Sequence, residues 1–218
     1  IFETNHLIIK NSIQRPIEYA AFFGSIQLFK YLITQKCHLS QKIWLAAIHG
    51  RNPEIIHILE EKEIKPEDSS YLECLSLAIK CHHNELVNYL LDNYVKNEDI
   101  SSFIMEKSLK SHNFALIQQE MINSNSFYEL CKRNYYILAK LVLENDKNID
   151  INSRTLKNKK YDIQVENTGL FIAILKENLE IVQLLLDNKD IDVNKKSLES
   201  KNEITPLFIA AQNNKIDF

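Results

Sequence analysis

The sequence predicts an all-α solenoid of six to seven helix-turn-helix repeats whose inter-repeat fingers vary in length or are missing. Three observations carry that expectation. Thr168-Gly169-Leu170-Phe171-Ile172-Ala173 reappears as Thr205-Pro206-Leu207-Phe208-Ile209-Ala210, 37 residues later, and a period of that size marks stacked units that cannot bury their apolar faces alone. A short amphipathic pattern recurs along the whole chain. With three glycines and four prolines in 218 residues, the chain is poorly supplied for a turn-rich β protein.

The second helix of each unit is the plainest element. Glu180-Ile181-Val182-Gln183-Leu184-Leu185-Leu186 has the same shape as Glu54-Ile55-Ile56-His57-Ile58-Leu59, Glu85-Leu86-Val87-Asn88-Tyr89-Leu90-Leu91 and Gln27-Leu28-Phe29-Lys30-Tyr31-Leu32-Ile33. Apolar residues at i, i+1, i+4 and i+5 make a broad stripe on a short helix. The leading acid suits the positive end of the helix dipole. Markers at Leu28, Ile55, Leu86, Leu116, Ile137, Ile181 and Phe218 are spaced by 27, 31, 30, 21, 44 and 37 residues. Constant helix pairs joined by connections of unequal length give such spacing.

The first helix of each unit carries small residues: Ala20-Ala21, Ala46-Ala47, Ala78, Ser108, Ala173 and Ala210-Ala211. These permit close approach of neighbouring units. Between the two helices lie Gly24, Asn52, Asn84, Asn113, Asn134 and Asn178, residue types that suit a left-handed turn.

Thr205-Pro206-Leu207-Phe208-Ile209-Ala210-Ala211, together with Arg15-Pro16-Ile17-Glu18-Tyr19-Ala20-Ala21, resembles the opening of the ankyrin repeat, and Glu180–Leu186 is similar to its second helix. Ile149-Asp150-Ile151-Asn152 and Ile191-Asp192-Val193-Asn194 resemble the lead-in to its β-turn finger. The resemblance extends over residues 15–218, with 1–14 as an N-terminal helix or the remnant of a preceding repeat. The degenerate, Asn/Lys/Ile-rich style is similar to the large ankyrin families of some protists. Phe171 and Phe208 stand where that family usually has His. Gln118-Gln119-Glu120 interrupts the apolar stripe of the fourth unit, and the fifth follows too soon to include a finger, so a weaker interface is expected there. Residues 153–167 form a longer connection than a finger requires, of a length that is often functional or disordered.

The resemblance implies a non-enzymatic scaffold that binds another protein through a concave groove and finger loops. The alternative is a regulatory or targeting module attached to an enzyme outside this segment. Candidate partner-binding residues follow from the alignment, at the ends of the first helices: Phe22, Phe23, His49, Lys80, Lys110, Lys132, Lys176 and Gln212. Phe22 and Phe23 are either an exposed aromatic anchor or are covered by a helix containing Leu7-Ile8-Ile9. The recurring lysines either favour an acidic peptide or form an ordinary solvated face.

Chemistry finds little support. Cys74, Cys81, His82 and His83 supply zinc-binding atoms at the wrong spacing, since adjacent histidines on a helix diverge by about 100° and there is no C-x₂-C pair. Cys131 beside Lys132-Arg133 invites a reactive thiol, although a partly buried structural role suits it better. No phosphate-binding glycine loop or hydrolase motif occurs. No catalytic residue, metal or cofactor is therefore expected. The net charge of −3, from 29 acids and 26 bases, gives no field for nucleic acid. No apolar run approaches the roughly 20 residues a membrane span needs. Four cysteines without a framework suit reduced thiols in a cytoplasmic protein, and a monomer is expected. The missing initiator Met points to a piece of a longer protein.

Overall fold

The computed structural model describes residues 15–96, 100–118, 121–145, 149–157, 165–199 and 202–212. The expected N-terminal helix or repeat remnant at 1–14, the marker Phe218 and the centre of the 153–167 connection lie outside them. The chain divides into two compact units after Leu116.

The N-terminal unit consists of helix pairs. First helices α1 (Pro16–Phe22), α3 (Ile43–Gly50), α5 (Leu72–Lys80) and α7 (Ile100–Ser111) alternate with second helices α2 (Ile26–Thr34), α4 (Pro53–Glu61) and α6 (Asn84–Asn93). The first helices pack side by side and make most of the contact between repeats. Ala20, Ala21, Ala46, Ala47, Ala78 and Ser108 are all buried there, as small residues at a close interface should be. Packing is tightest at Gly50. A Cβ added to it would sit 2.0 Å from the Ala21 carbonyl oxygen, so only a glycine lets α3 approach α1 this closely.

The stripe turns inward as its spacing predicts in α4 and α6, whereas in α2 Phe29 alone is buried and the marker Leu28 is 45% exposed. Ile55, Ile56 and Leu59 of α4 and Val87 and Leu90 of α6 are buried. The fourth pair differs. Where its second helix should run, the chain makes one 3₁₀ turn, Phe114–Leu116, and the unit ends. The polar sequence that follows has no stripe to bury.

No strand is found among the described residues of this unit. An aromatic cluster fills the place where repeats would otherwise be joined by fingers. The Trp44 ring meets Tyr71 edge-on at 5.2 Å, and Tyr71 stacks on Tyr94 at 4.3 Å. Trp44 Nε1 donates to the Ile64 carbonyl, which fixes the connection leading to α5.

The C-terminal unit contains α8 (Ser124–Lys132), α9 (Tyr136–Asn145), α10 (Gly169–Leu175), α11 (Leu179–Leu186) and α12 (Pro206–Gln212). Here two antiparallel hairpins stand ahead of α10 and α12. They are β1 (Thr155–Lys157) with β2 (Val165–Asn167), and β3 (Ser197–Glu199) with β4 (Asn202–Ile204). β2 also pairs with β3, through Val165 with Glu199 and Glu166 with Leu198, giving one sheet in the order β1-β2-β3-β4. The long 153–167 connection is thus structural at both flanks: its ends are paired strands.

Thr168 caps α10 by accepting from the Phe171 amide at 3.2 Å, and Thr205 does the same for Phe208. Loss of the usual His therefore leaves this cap intact. Thr168 N also donates to Ser197 Oγ of the next repeat at 3.2 Å. Asn152 clamps the segment ahead of the second hairpin, with Nδ2 donating to the Asp190 carbonyl at 2.7 Å and Oδ1 accepting from the Asp192 amide at 2.7 Å. The lead-in motif is thus a joint between repeats.

One marker slips. Ile137 is 65% exposed, and Leu138 holds the place of Ile181, four residues after the left-handed turn residue. Ala139 and Val142 complete the buried stripe of α9.

Candidate functional site

The candidate residues all lie at the C-terminal ends of first helices, where each chain reverses into its second helix. The reversal is left-handed at Gly24, Arg51, His82, His112, Asn134 and Glu177, with φ between 53° and 64°. This corrects the assignment of that conformation to Asn52, Asn84, Asn113 and Asn178, of which none has positive φ. Gly24 and Asn134 are as expected.

The residue immediately after the turn has a different task. Asn52 Nδ2 donates to the Gly24 carbonyl at 3.0 Å, Asn113 Nδ2 to the Ile79 carbonyl at 3.0 Å, and Asn178 Nδ2 to the Cys131 carbonyl at 2.8 Å. In each case the acceptor lies in the last turn of the first helix of the preceding repeat or, for Gly24, in the reversal just after it, where the helical ladder runs out. Asn52 also caps α4, its Oδ1 accepting from the Glu54 and Ile55 amides. Asn113 is buried and makes a second bond, to Asn84 Oδ1 at 2.8 Å.

His83 takes this position in the third repeat. Its Nδ1 lies 3.0 Å from the Ile48 carbonyl; a carbonyl only accepts, so Nδ1 carries the proton. His82 reaches the other way, with Nε2 at 3.0 Å from the Ser111 carbonyl. The Cys81-His82-His83 run is thus a clasp between three successive repeats. Among the described residues no three His, Cys, Asp or Glu side chains gather where a metal could be held.

The candidate binding residues separate into two sets. Phe22 is 2% exposed and stacks flat on His49, with ring centroids 3.8 Å apart. It belongs to the interior between α1 and α3 and leaves the candidate surface. His49 is half-buried, and burial is the main cause that lowers its pKa. A hydrogen bond to the Phe22 backbone opposes that shift, and nearby His83 adds to it. Lys132 is also engaged: its Nζ donates to Glu129 at 3.0 Å, and Arg133 shares the same carboxylate at 3.1 Å. Phe23 is 68% exposed, while Lys80, Lys110, Lys176 and Gln212 are exposed.

Cys131, Cys74 and Cys81 are not poised as nucleophiles. Burial is the chief cause that raises Cys131 and Cys74 to about 12, and it raises Cys81 as well. A thiol so shifted is protonated at neutral pH and a poor nucleophile. Lys132 and Arg133, which could have activated Cys131, are turned to Glu129 instead.

Sequence reasoning missed the inter-repeat bonds and a tyrosine–glutamate network on the second helices. Tyr89 and Tyr94 both donate to Glu60 Oε1, at 2.6 and 2.7 Å. The first was detectable, because a polar residue with a fixed offset from the turn recurs at Asn52, His83, Asn113 and Asn178. The second had no signal, since its members come from unrelated positions in two repeats.

Paired helices reversing through a left-handed residue, stacked through their first helices and joined in part by β-hairpins, define a helical repeat protein. Residues 127–218 match the family model described as ankyrin repeats (three copies). The match takes in most of the helix pairs and both hairpins of the C-terminal unit. Residues 29–116 match a second model, described as a domain of unknown function (DUF3447), whose limit at 116 coincides with the end of the N-terminal unit. No curated protein matches the chain.

Proposed function

We propose that this protein binds a protein partner through the exposed ends of its first helices. The repeated placement of Phe23, Lys80 and Lys110 in the N-terminal unit and of Lys176 and Gln212 in the C-terminal unit supports this most: each is solvent-exposed at one of two adjacent positions that close its first helix, beside residues locked into the stack. Within each unit such positions present side chains at little entropic cost. Phe23 is the apolar anchor, since an exposed aromatic among polar neighbours marks a contact point. Lys80 and Lys110 favour acidic groups on the segment that docks. Ankyrin repeats are in general protein-interaction modules, which agrees with this use of the surface.

The test is affinity capture from a cellular extract with the wild-type chain, Phe23→Ser, and the pair Lys80→Glu with Lys110→Glu. Mass spectrometry identifies what is retained. Both variants are expected to lose the captured partner while melting within about 1 °C of the wild type, as exposed substitutions do. Equal recovery by all three proteins, or a large fall in melting temperature for Phe23→Ser, would contradict the proposal.

A further inference from the structure

The second helices of the N-terminal unit are indented by a groove of about 310 Å³ between α4 and α6. Its floor is apolar, made by Ile56, which is 3% exposed, and the half-buried Leu86. Tyr89 forms one wall. At one end lies the carboxylate of Glu60, held by the hydroxyls of Tyr89 and Tyr94 at 2.6 and 2.7 Å. Both donors are neutral. They position the carboxylate without cancelling its charge. Among the described residues the one basic group within 4.0 Å of Glu60 is His57, whose Nδ1 is 3.6 Å from Oε2. At the other end Glu85 makes a single exposed contact with Arg51, 3.3 Å away, of a kind worth little in water.

An apolar trough with an aromatic wall and a fixed carboxylate, with His57 beside it and Arg51 paired to Glu85 at the far end, fits one chemistry. A long aliphatic chain ending in a cation lays its methylenes on Ile56 and Leu86. Its head then meets the Glu60 carboxylate and the face of Tyr89. An anionic guest is repelled by Glu60 and Glu85. A purely apolar one leaves a carboxylate desolvated without a partner. We propose that the groove between α4 and α6 is a docking pocket for a single lysine or arginine side chain of a partner protein. It is formed by second helices, and so is separate from the first-helix ends discussed above.

The probe is the peptide acetyl-Gly-Arg-Gly-amide, with its Lys counterpart, titrated into the full chain carrying labelled Ile and Leu methyl groups. The citrulline peptide, isosteric but neutral, is the control. Saturable NMR shifts are expected at Ile56 and Leu86 with Arg and Lys and not with citrulline. Glu60→Gln keeps an oxygen for both tyrosines and is expected to weaken binding roughly tenfold, in line with loss of one charge-assisted bond. His57→Lys, at an exposed site, puts an internal cation beside Glu60 and is expected to block the shifts without moving the melting temperature. Equal shifts with citrulline, no saturable shifts at these methyls, or unchanged affinity in His57→Lys would overturn the proposal. The last criterion stands even if Glu60→Gln fails to fold.

Discussion

The two units solve one problem, joining neighbouring repeats, by different means. In the C-terminal unit the joint includes backbone: β2 pairs with β3 across the repeat boundary, beside the side-chain ties of Asn152 and Asn178. In the N-terminal unit no strand is found among the described residues, and single side chains do the work. Asn52, His83 and Asn113 each reach one carbonyl of the preceding repeat, while Trp44, Tyr71 and Tyr94 fill the place of fingers. A joint made of backbone tolerates substitution because every residue type carries the bonding groups. A joint made of one side chain does not. The N-terminal unit should therefore be the more sensitive to point mutation.

The most damaging single change is expected at Gly50. Its approach to the Ala21 carbonyl leaves no room for a side chain, and backbone on both sides has nowhere to move. Gly50→Val should cost about 3 kcal/mol or more, measured by urea denaturation. Ala173→Leu, at a fully buried position of α10, should cost about 1–3 kcal/mol, since side chains rather than backbone can yield. A smaller loss at Gly50 than at Ala173 would reverse the ranking of the two units.

Next in size comes the loss of a side-chain tie. Asn113→Ala removes two bonds at a site 1% exposed and leaves the Ile79 carbonyl with its local His82 amide; about 2 kcal/mol is expected, for two hydrogen bonds lost at a buried site. Ser197→Ala removes one acceptor from the sheet side, and about 1 kcal/mol is expected because the strand ladder persists. Thermal melts of the two variants check the order.

Acidification should act on the N-terminal unit through His49 and His83. Burial, the largest cause for both, holds their folded pKa values below the ordinary one. For His83 the Ile48 hydrogen bond opposes this shift, while Arg51 and His82 reinforce it. The unfolded chain thus binds more protons as pH falls through about 6.5, so stability is full above that pH and declines below it. His83→Asn installs the residue found at the other three ties and should reduce the drop in melting temperature between pH 7.5 and 5. An identical pH profile would place the effect elsewhere.

The smallest effect is expected from deleting residues 158–164 between β1 and β2, which should leave the helical circular dichroism nearly unchanged. A collapsed spectrum would show that the helices depend on that segment.

Much of this was legible beforehand. The apolar stripes, the small residues of the first helices and the polar break at Gln118 located the helix pairs and the weak fourth repeat, because periodicity reports burial directly. The turn chemistry was misread by one residue. Asn is the usual non-glycine choice for a left-handed turn, yet here Arg51, His82, His112 and Glu177 adopt it, and the neighbouring Asn is needed for its amide. The slip from Leu138 to Ile137 arose because Ile137, Leu138 and Leu141 are all apolar, which leaves the phase of a short helix ambiguous. Phe22 and Phe23 were indistinguishable in sequence. Stacking against His49 separates them, and that partner lies a whole repeat away.

The central claim, that single polar side chains hold the repeats of the N-terminal unit together, is tested most directly by hydrogen exchange. In Asn113→Ala, amides in α5 and α7 should exchange faster, while those of β2 and β3 keep their wild-type rates as an internal control. Unchanged protection in α5 and α7 would contradict it.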